Sequence, residues 1–231
     1  MSLSKIANKY ISTSSDKQPI NNLCSVARDC NDCSLGYGAA VAPSGPNNIE
    51  KTKLILIGEK PGNKEVLTGY HFVGELSRIA RVLVRQILGL KTRVPDRNGN
   101  INLSEEEEVI YTNAVLCKPK KDAAITKAQY TTCSKYNNEI LSKTNCPVLL
   151  CGLGAIHTYL PDSDKVSLKD VRGKIHRING RDWICTFNPA VVQRGVFYIE
   201  GTKKPDTCFD SLVWHFTRDL LFVKSVLDKG E

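Results

Sequence analysis

Four thiols spaced to share one soft metal centre are the feature of this 231-residue sequence that first points to chemistry. Cys30 and Cys33 form a C-x-x-C pair, and Cys117 and Cys133 lie far downstream with fifteen residues between them. Thiolates bind soft metals, and a two-residue gap lets one turn of backbone aim both sulfurs at one centre. On spacing alone the set is either a metal site, zinc included, or a group of ordinary buried and free cysteines.

A second constellation follows an apolar run, Leu54 to Ile57. It reads Gly58-Glu59-Lys60-Pro61-Gly62, and eleven residues after Gly58 begins Gly69-Tyr70-His71-Phe72-Val73-Gly74. Glycines here let backbone amides approach a ligand that a side chain would exclude. Glu59 supplies a carboxylate, Phe72 an aromatic face, and Asn113, after the next apolar run, an amide with one donor side and one acceptor side. Asn188 stands at the end of a later run, in Phe187-Asn188-Pro189-Ala190. Taken singly, each has a plain alternative: a turn for the glycine string, core packing for Phe72, a helix-terminus contact for Glu59, and a turn cap for Asn113.

Together these residues resemble the uracil-DNA glycosylase superfamily, in its family 4, iron–sulfur form. Cys30, Cys33, Cys117 (in Cys117-Lys118-Pro119) and Cys133 are similar to the ligands of that family's 4Fe-4S cluster, so the resemblance favours iron–sulfur over zinc. There the cluster ties two distant loops together and is no redox catalyst. The family's G-E-x-P-G and G-R-P-F-V-G motifs are matched at the same gap, and Thr112-Asn113-Ala114-Val115-Leu116-Cys117 matches its T-N-x-x-x-C. Leu153-Gly154-Ala155 and Arg172-Gly173 are smaller matches, and the resemblance covers roughly residues 24 to 220.

The resemblance implies a monofunctional glycosylase that flips a uracil or modified pyrimidine from DNA and hydrolyses its N-glycosidic bond, leaving an abasic site. Glu59 would position water or stabilise an oxocarbenium-like sugar, Phe72 would stack on the flipped base, Asn113 would read it, and Gly58 would belong to the same base-binding set. Lys118, Lys120 and Lys121 would contact phosphate, and Val191, Val192, Gln193 and Arg194 would form the loop that wedges into the minor groove.

The chain departs from the family pattern around the base. Asn188 replaces the His of F-H-P-A, a donor to the departing base's O2; an amide donates too, as a neutral group. Lys60, Val66 and Tyr70-His71 are further departures. They point to a retained scaffold with altered preference, such as a hypermodified phage base, and so to phage defence. The alternative is a non-catalytic DNA-binding or replication-accessory protein that keeps the glycosylase fold.

The elements that must position these residues read as an alternation of strands and helices. Leu54 to Ile57, Val109 to Tyr111, Val148 to Leu150 and Trp183 to Cys185 read as buried strands. Helical patterns run from Glu75 to Leu90, from Thr126 (with Gln129 completing a capping box) to about Ser142, and from Phe209 to Leu227. The expected fold is α/β, a three-layer α/β/α sandwich around a central four-stranded, mainly parallel sheet, with ligands at the carboxyl ends of the strands. Asp96-Arg97-Asn98-Gly99 marks a turn in a surface insertion between Gly89 and Glu108.

Composition bounds the rest. The chain is 41% hydrophobic and 24% charged, which fits one sizeable core: a single domain over residues 21–231 behind an N-terminal arm or short helix over 1–20. A net charge of +8 and a pI near 9.0 favour a polyanionic partner such as DNA. Nine cysteines without an apolar leader or a membrane-length run imply reduced thiols in a reducing, cytoplasmic compartment, and we expect a monomer. Cys24, Cys146, Cys151, Cys185 and Cys208 read as small apolar fillers.

Overall fold

The computed structural model describes residues 27, 30–35, 40–75, 77–120, 123–163, 165–190, 197–198, 205–206 and 209–229. The arm over residues 1–20 and the wedge residues Val191, Val192 and Arg194 lie outside the described residues, as do Cys24, Lys121 and Cys208.

Strands β1 (Leu54–Gly58), β2 (Val109–Asn113), β3 (Val148–Cys151), β4 (Ile175–Ile178) and β5 (Arg181–Thr186) form one sheet in the order β2-β1-β3-β5-β4. The four expected apolar runs supply β1, β2, β3 and β5, which are parallel to their neighbours among themselves. The sheet has five strands, not four: β4 pairs antiparallel with β5 along the edge. It lacks a continuous apolar run because it is only half covered, its residues alternating between exposed and partly buried. Its turn, Asn179-Gly180, has φ of 51° and 78°, the doubly positive pattern of a tight hairpin. A separate pair, β6 (Phe197–Tyr198) with β7 (Pro205–Asp206), is also antiparallel.

The helices are α1 (Asn63–Thr68), α2 (Ile79–Leu83), α3 (Lys127–Ser142), α4 (Leu153–Tyr159), α5 (Leu168–Val171) and α6 (Phe209–Leu227). Strand residues alternate between the two helical layers. Ile55, Ile57, Ile110, Val148 and Leu150 share a core with Tyr136 and Ile140 of α3 and with Ala155 and Ile156 of α4. Leu54, Leu56, Tyr111, Leu149 and Ile184 share the other with Ala80 and Leu83 of α2 and with Phe216, Leu220 and Val223 of α6. The three-layer sandwich is as expected, and no helix among the described residues is long and apolar enough to cross a membrane.

The expected helix from Glu75 to Leu90 is shorter and less regular. Turns precede α2, whose five α-helical residues run into a π-helical stretch, Val84–Leu88, stopped by left-handed Gly89. The start is diverted because the Gly74 amide and the Ser77 hydroxyl both donate to Glu65, at 3.0 and 2.6 Å. The insertion before β2 turns at Asp96, whose Oδ1 accepts from the amides of Asn98 and Asn100. Its ends reach inward, with the Thr92 hydroxyl 2.8 Å from that of Tyr111 and Glu107 buried against Arg81.

The connection leaving β1 starts toward the α2 layer and the one leaving β3 toward the α3 layer. Between those two strand ends a crevice must open, the usual place for a ligand in an open α/β sheet. At the opposite edge, Ala40 and Ser44 bridge to Cys117 and Tyr111, so the 40–45 segment lies along β2.

Candidate active site and cysteine centre

β1 and β2 end in register, with Gly58 opposite Asn113. A Cβ at Gly58 would fall 2.2 Å from Asn113 Oδ1 and 2.8 Å from Phe72 Cζ, so glycine alone lets the amide and the ring close on this point. Asn113 is 4% exposed, and Asn137 of α3 fixes its backbone by donating to its carbonyl at 2.9 Å while accepting from Thr112 at 2.8 Å. Asn113 Nδ2 lies 2.8 Å from His71 Nδ1.

Phe72 holds φ at 54°, uncommon for a bulky residue, and its ring packs against Tyr111 with centroids 5.8 Å apart. Buried Arg81 anchors this loop. Its Nε and Nη2 donate to the His71 carbonyl at 3.1 and 2.9 Å, its Nη1 donates to Glu107 at 3.2 Å, and its guanidinium sits 3.6 Å from the Tyr111 ring centroid. Glu65 of α1 joins the two glycine motifs, accepting from Gly62 N at 3.1 Å and Gly74 N at 3.0 Å.

Glu59 follows β1 and meets the start of α4. A Cβ at Gly154 would come within 2.5 Å of both Glu59 Cγ and Tyr130 Oη. The Tyr130 hydroxyl is hydrogen-bonded to the Glu59 carboxylate, and burial together with that carboxylate's charge raises the pKa of the phenol.

Asn188 arrives from β5 on the other side of the crevice. A Cβ at Gly152 would lie 3.0 Å from the Asn188 Cβ, and Gly152 itself takes a positive φ of 94°. Asn188 Oδ1 accepts from Ala190 N at 3.0 Å, so it caps the turn, and what the amide presents elsewhere is its Nδ2 donor. Behind this loop, Asp219 of α6 accepts from Arg172 at 2.6 Å and from Thr186 at 2.7 Å, while the Arg172 guanidinium covers the Phe187 ring at 4.5 Å.

The four cysteines meet close to this site, at the β2 end of the sheet: Cys30, Cys33, Cys117 and Cys133 line one cavity, closed by Leu35 and Leu116. Cys117 sits four residues beyond Asn113, and Cys133 is on α3. The Cys30–Cys33 loop is tied to α3 by the Lys135–Asp32 ion pair and by Gln129 Nε2 donating to Ser34 Oγ at 2.9 Å. Burial pushes the Cys117 thiol up to about 12, with Cys133, Cys33 and Cys30 pressing the same way; a bound cationic centre reverses that penalty.

Among the described residues, no three Cys, His, Asp or Glu side chains form a group fit for a single metal ion. A tetrahedral zinc site with bonds of about 2.3 Å would require sulfurs about 3.8 Å apart. Four thiols lining one cavity are a donor set chemically suited to a soft metal or an iron–sulfur cluster.

Comparison with known proteins agrees with this geometry. The family model described as the uracil DNA glycosylase superfamily matches residues 46–209, well over half of the chain. The chain belongs to the uracil DNA glycosylase superfamily. It is 27% identical over 169 residues to a type-4 uracil-DNA glycosylase of Thermotoga maritima, covering 72% of this chain and 79% of that protein. The type-4 uracil-DNA glycosylase of Saccharolobus solfataricus is 29% identical over 156 residues, 66% of this chain and 65% of the relative. That of Archaeoglobus fulgidus is 25% identical over 173 residues, or 71% and 77%.

Of the site residues read from the sequence of this superfamily member, Gly58, Phe72 and Asn113 cluster at one point, while Glu59 and Asn188 follow β1 and β5, on either side of β3. Lys118 is half-buried and Lys120 exposed, both just beyond Cys117. Sequence reasoning missed Glu65, His71, Arg81, Tyr130 and Asn137 as supports of the site. His71 and Glu65 lie inside or beside the glycine motifs, which was the available signal; nothing marked the other three.

Proposed function

We propose that this chain is a monofunctional DNA glycosylase that takes a uracil or a modified pyrimidine out of the DNA stack and hydrolyses its N-glycosidic bond with water. One observation supports the reading: Glu59, Asn113 and Asn188 stand at or just beyond the carboxyl ends of β1, β2 and β5, the end of an open α/β sheet at which ligands bind.

The proposed chemistry uses each group at its own atom. The Glu59 carboxylate, held by Tyr130, orients the attacking water and offsets positive charge on the sugar as the glycosidic bond lengthens. The Asn188 Nδ2 donates to the O2 of the departing base, where negative charge grows. Asn113 pairs with the base edge, and Phe72 bounds the pocket near Gly58. In this reading no lysine forms a Schiff base, so the product is an abasic site with an intact strand.

Cys30, Cys33, Cys117 and Cys133 would hold a 4Fe-4S cluster that supplies a structural tie and takes no part in bond cleavage. The relatives' type-4 naming and the shared cavity support it. Lys118 and Lys120, beside Cys117, would then meet the DNA backbone, in keeping with the net charge of +8.

An end-labelled duplex carrying one uracil tests the reading: breakage only after alkali is expected, and breakage before alkali sinks the monofunctional mechanism. A panel of modified phage DNAs, read by mass spectrometry for released base, tests the altered preference motivated by Tyr70, His71 and Asn188. Retained DNA binding with no base released from any substrate would establish the non-catalytic, replication-accessory reading, which Asn188 in place of the family's His favours.

A further inference from the structure

We propose that His71 is the specificity-determining residue of this pocket: by accepting a hydrogen bond from Asn113 Nδ2 it locks the amide with Oδ1 toward the base, selecting uracil-type pyrimidines over cytosine-type ones. The inference deepens the glycosylase reading and rests on the pocket that reading assigns.

An asparagine amide can turn over, exchanging donor for acceptor at almost no steric cost, and only its partners decide which way it faces. Asn113 is 4% exposed and its backbone is clamped by Asn137, so few partners are available. Its Nδ2 stands 2.8 Å from His71 Nδ1, and its Oδ1 is the atom that approaches the Gly58 side of the pocket. A base with a protonated N3, such as uracil, finds an acceptor there. Cytosine, whose N3 is itself an acceptor, would bring lone pair against lone pair.

The lock works only if Nδ1 carries no proton. His71 is fully buried, and its Nε2 has no hydrogen-bond partner among the described residues. Burial and then the Arg81 charge hold the ring neutral, pressing its pKa down to about 3, so a single proton is shared between two nitrogens. The backbone of Val41 and Ala42 pulls the other way, less strongly. An amide nitrogen can only donate, so the 2.8 Å contact from Asn113 Nδ2 makes Nδ1 the acceptor and puts the ring's one proton on Nε2. Arg81 also fixes the ring's position through two bonds to the His71 carbonyl. The imidazole is thus held in place, held neutral, and aimed at the base-reading amide.

Two measurements test this independently of turnover. In 15N-histidine-labelled protein, the His71 ring should show the Nε2–H tautomer; an Nδ1–H tautomer would overturn the proposal. Duplexes carrying non-cleavable 2′-fluoro-deoxyuridine or 2′-fluoro-deoxycytidine opposite a mismatch should differ in affinity by about tenfold or more for the wild type, since the wrong base leaves buried polar groups unpaired. His71→Leu should bring that ratio toward one, with circular dichroism confirming a folded chain. An unchanged ratio in the folded variant, or equal affinities in the wild type, refutes the role. Should His71→Leu not fold, the wild-type tautomer and ratio still decide. A wild type that prefers uracil yet never releases it would sink the catalytic reading while leaving this one standing.

Discussion

The Glu59 side chain packs so closely on Gly154 that a Cβ at that glycine would come within 2.5 Å of Glu59 Cγ. The carboxylate at the end of β1 is therefore set by the backbone at the start of α4. Gly154→Ala should push Glu59 aside and lower single-turnover base release about a hundredfold, with DNA affinity nearly unchanged. Tyr130→Phe, which deletes the hydroxyl on the carboxylate, should lower it by less. Single-turnover rates beside binding isotherms would separate the two effects, and a loss confined to affinity would contradict the assignment.

Asn188 performs two tasks that one substitution can separate. Asn188→Asp keeps an oxygen to accept from Ala190 N but removes the Nδ2 donor. Its thermal midpoint should stay close to wild type while base release falls on the order of a hundredfold. Asn188→Ala should lose the cap as well, at about 1 kcal/mol of stability. Equal activity of the Asp variant would remove Asn188 from the chemistry.

Arg81 and Glu107 form a buried pair, their side chains 1% and 3% exposed. Arg81→Met alone leaves a carboxylate buried without its cation and should cost about 3–5 kcal/mol in urea unfolding. Arg81→Met combined with Glu107→Leu should recover much of that loss. The double variant should nonetheless have a looser His71–Phe72 loop, since the His71 carbonyl loses both of its guanidinium donors.

His71 makes stability depend on pH with a definite sign. Its folded pKa is about 3, below the usual value near 6.5, so the unfolded chain binds the proton first. The contribution is complete above about pH 6.5 and falls by about 1.4 kcal/mol per pH unit as the medium is acidified toward pH 3. Between pH 6.5 and 5, before most carboxylates titrate, His71→Gln should show a shallower decline than the wild type in urea midpoints. A parallel decline would place the ring in water.

Removal of any one thiol should report on the centre. Cys117→Ser and Cys133→Ser should strip the yellow-brown colour expected of an iron–sulfur protein, lower bound iron, and reduce the melting temperature. Wild-type protein that is colourless and carries one zinc would contradict the cluster.

What could be read beforehand follows burial. β1, β2 and β3 are covered on both faces, so their runs are continuously apolar and visible in sequence, and the capping box of α3 carries its own signature in Thr126 and Gln129. β4 is half-covered and carries no continuous apolar run, which is why four strands rather than five were expected. The shortened α2 was hidden because Leu83 and Val84 keep helical spacing whether the turn is α or π. Phe72, Asn113 and Asn188 could be named from motif spacing. His71, Arg81 and Asn137 could not be assigned their roles, because a buried polar residue looks like a surface one until its partners, 42, 26 and 24 positions away along the chain, are in place.

The bridges from Ala40 to Cys117 and from Ser44 to Tyr111 give the cysteine centre a second meaning. The segment that shields the outer edge of β2 is fastened beside one of the four thiols. If the centre fails to assemble, that shield loses its anchor and a bare strand edge is offered to neighbouring copies. If the proposed 4Fe-4S cluster is what those thiols hold, iron supply during synthesis would govern how much of the protein escapes aggregation.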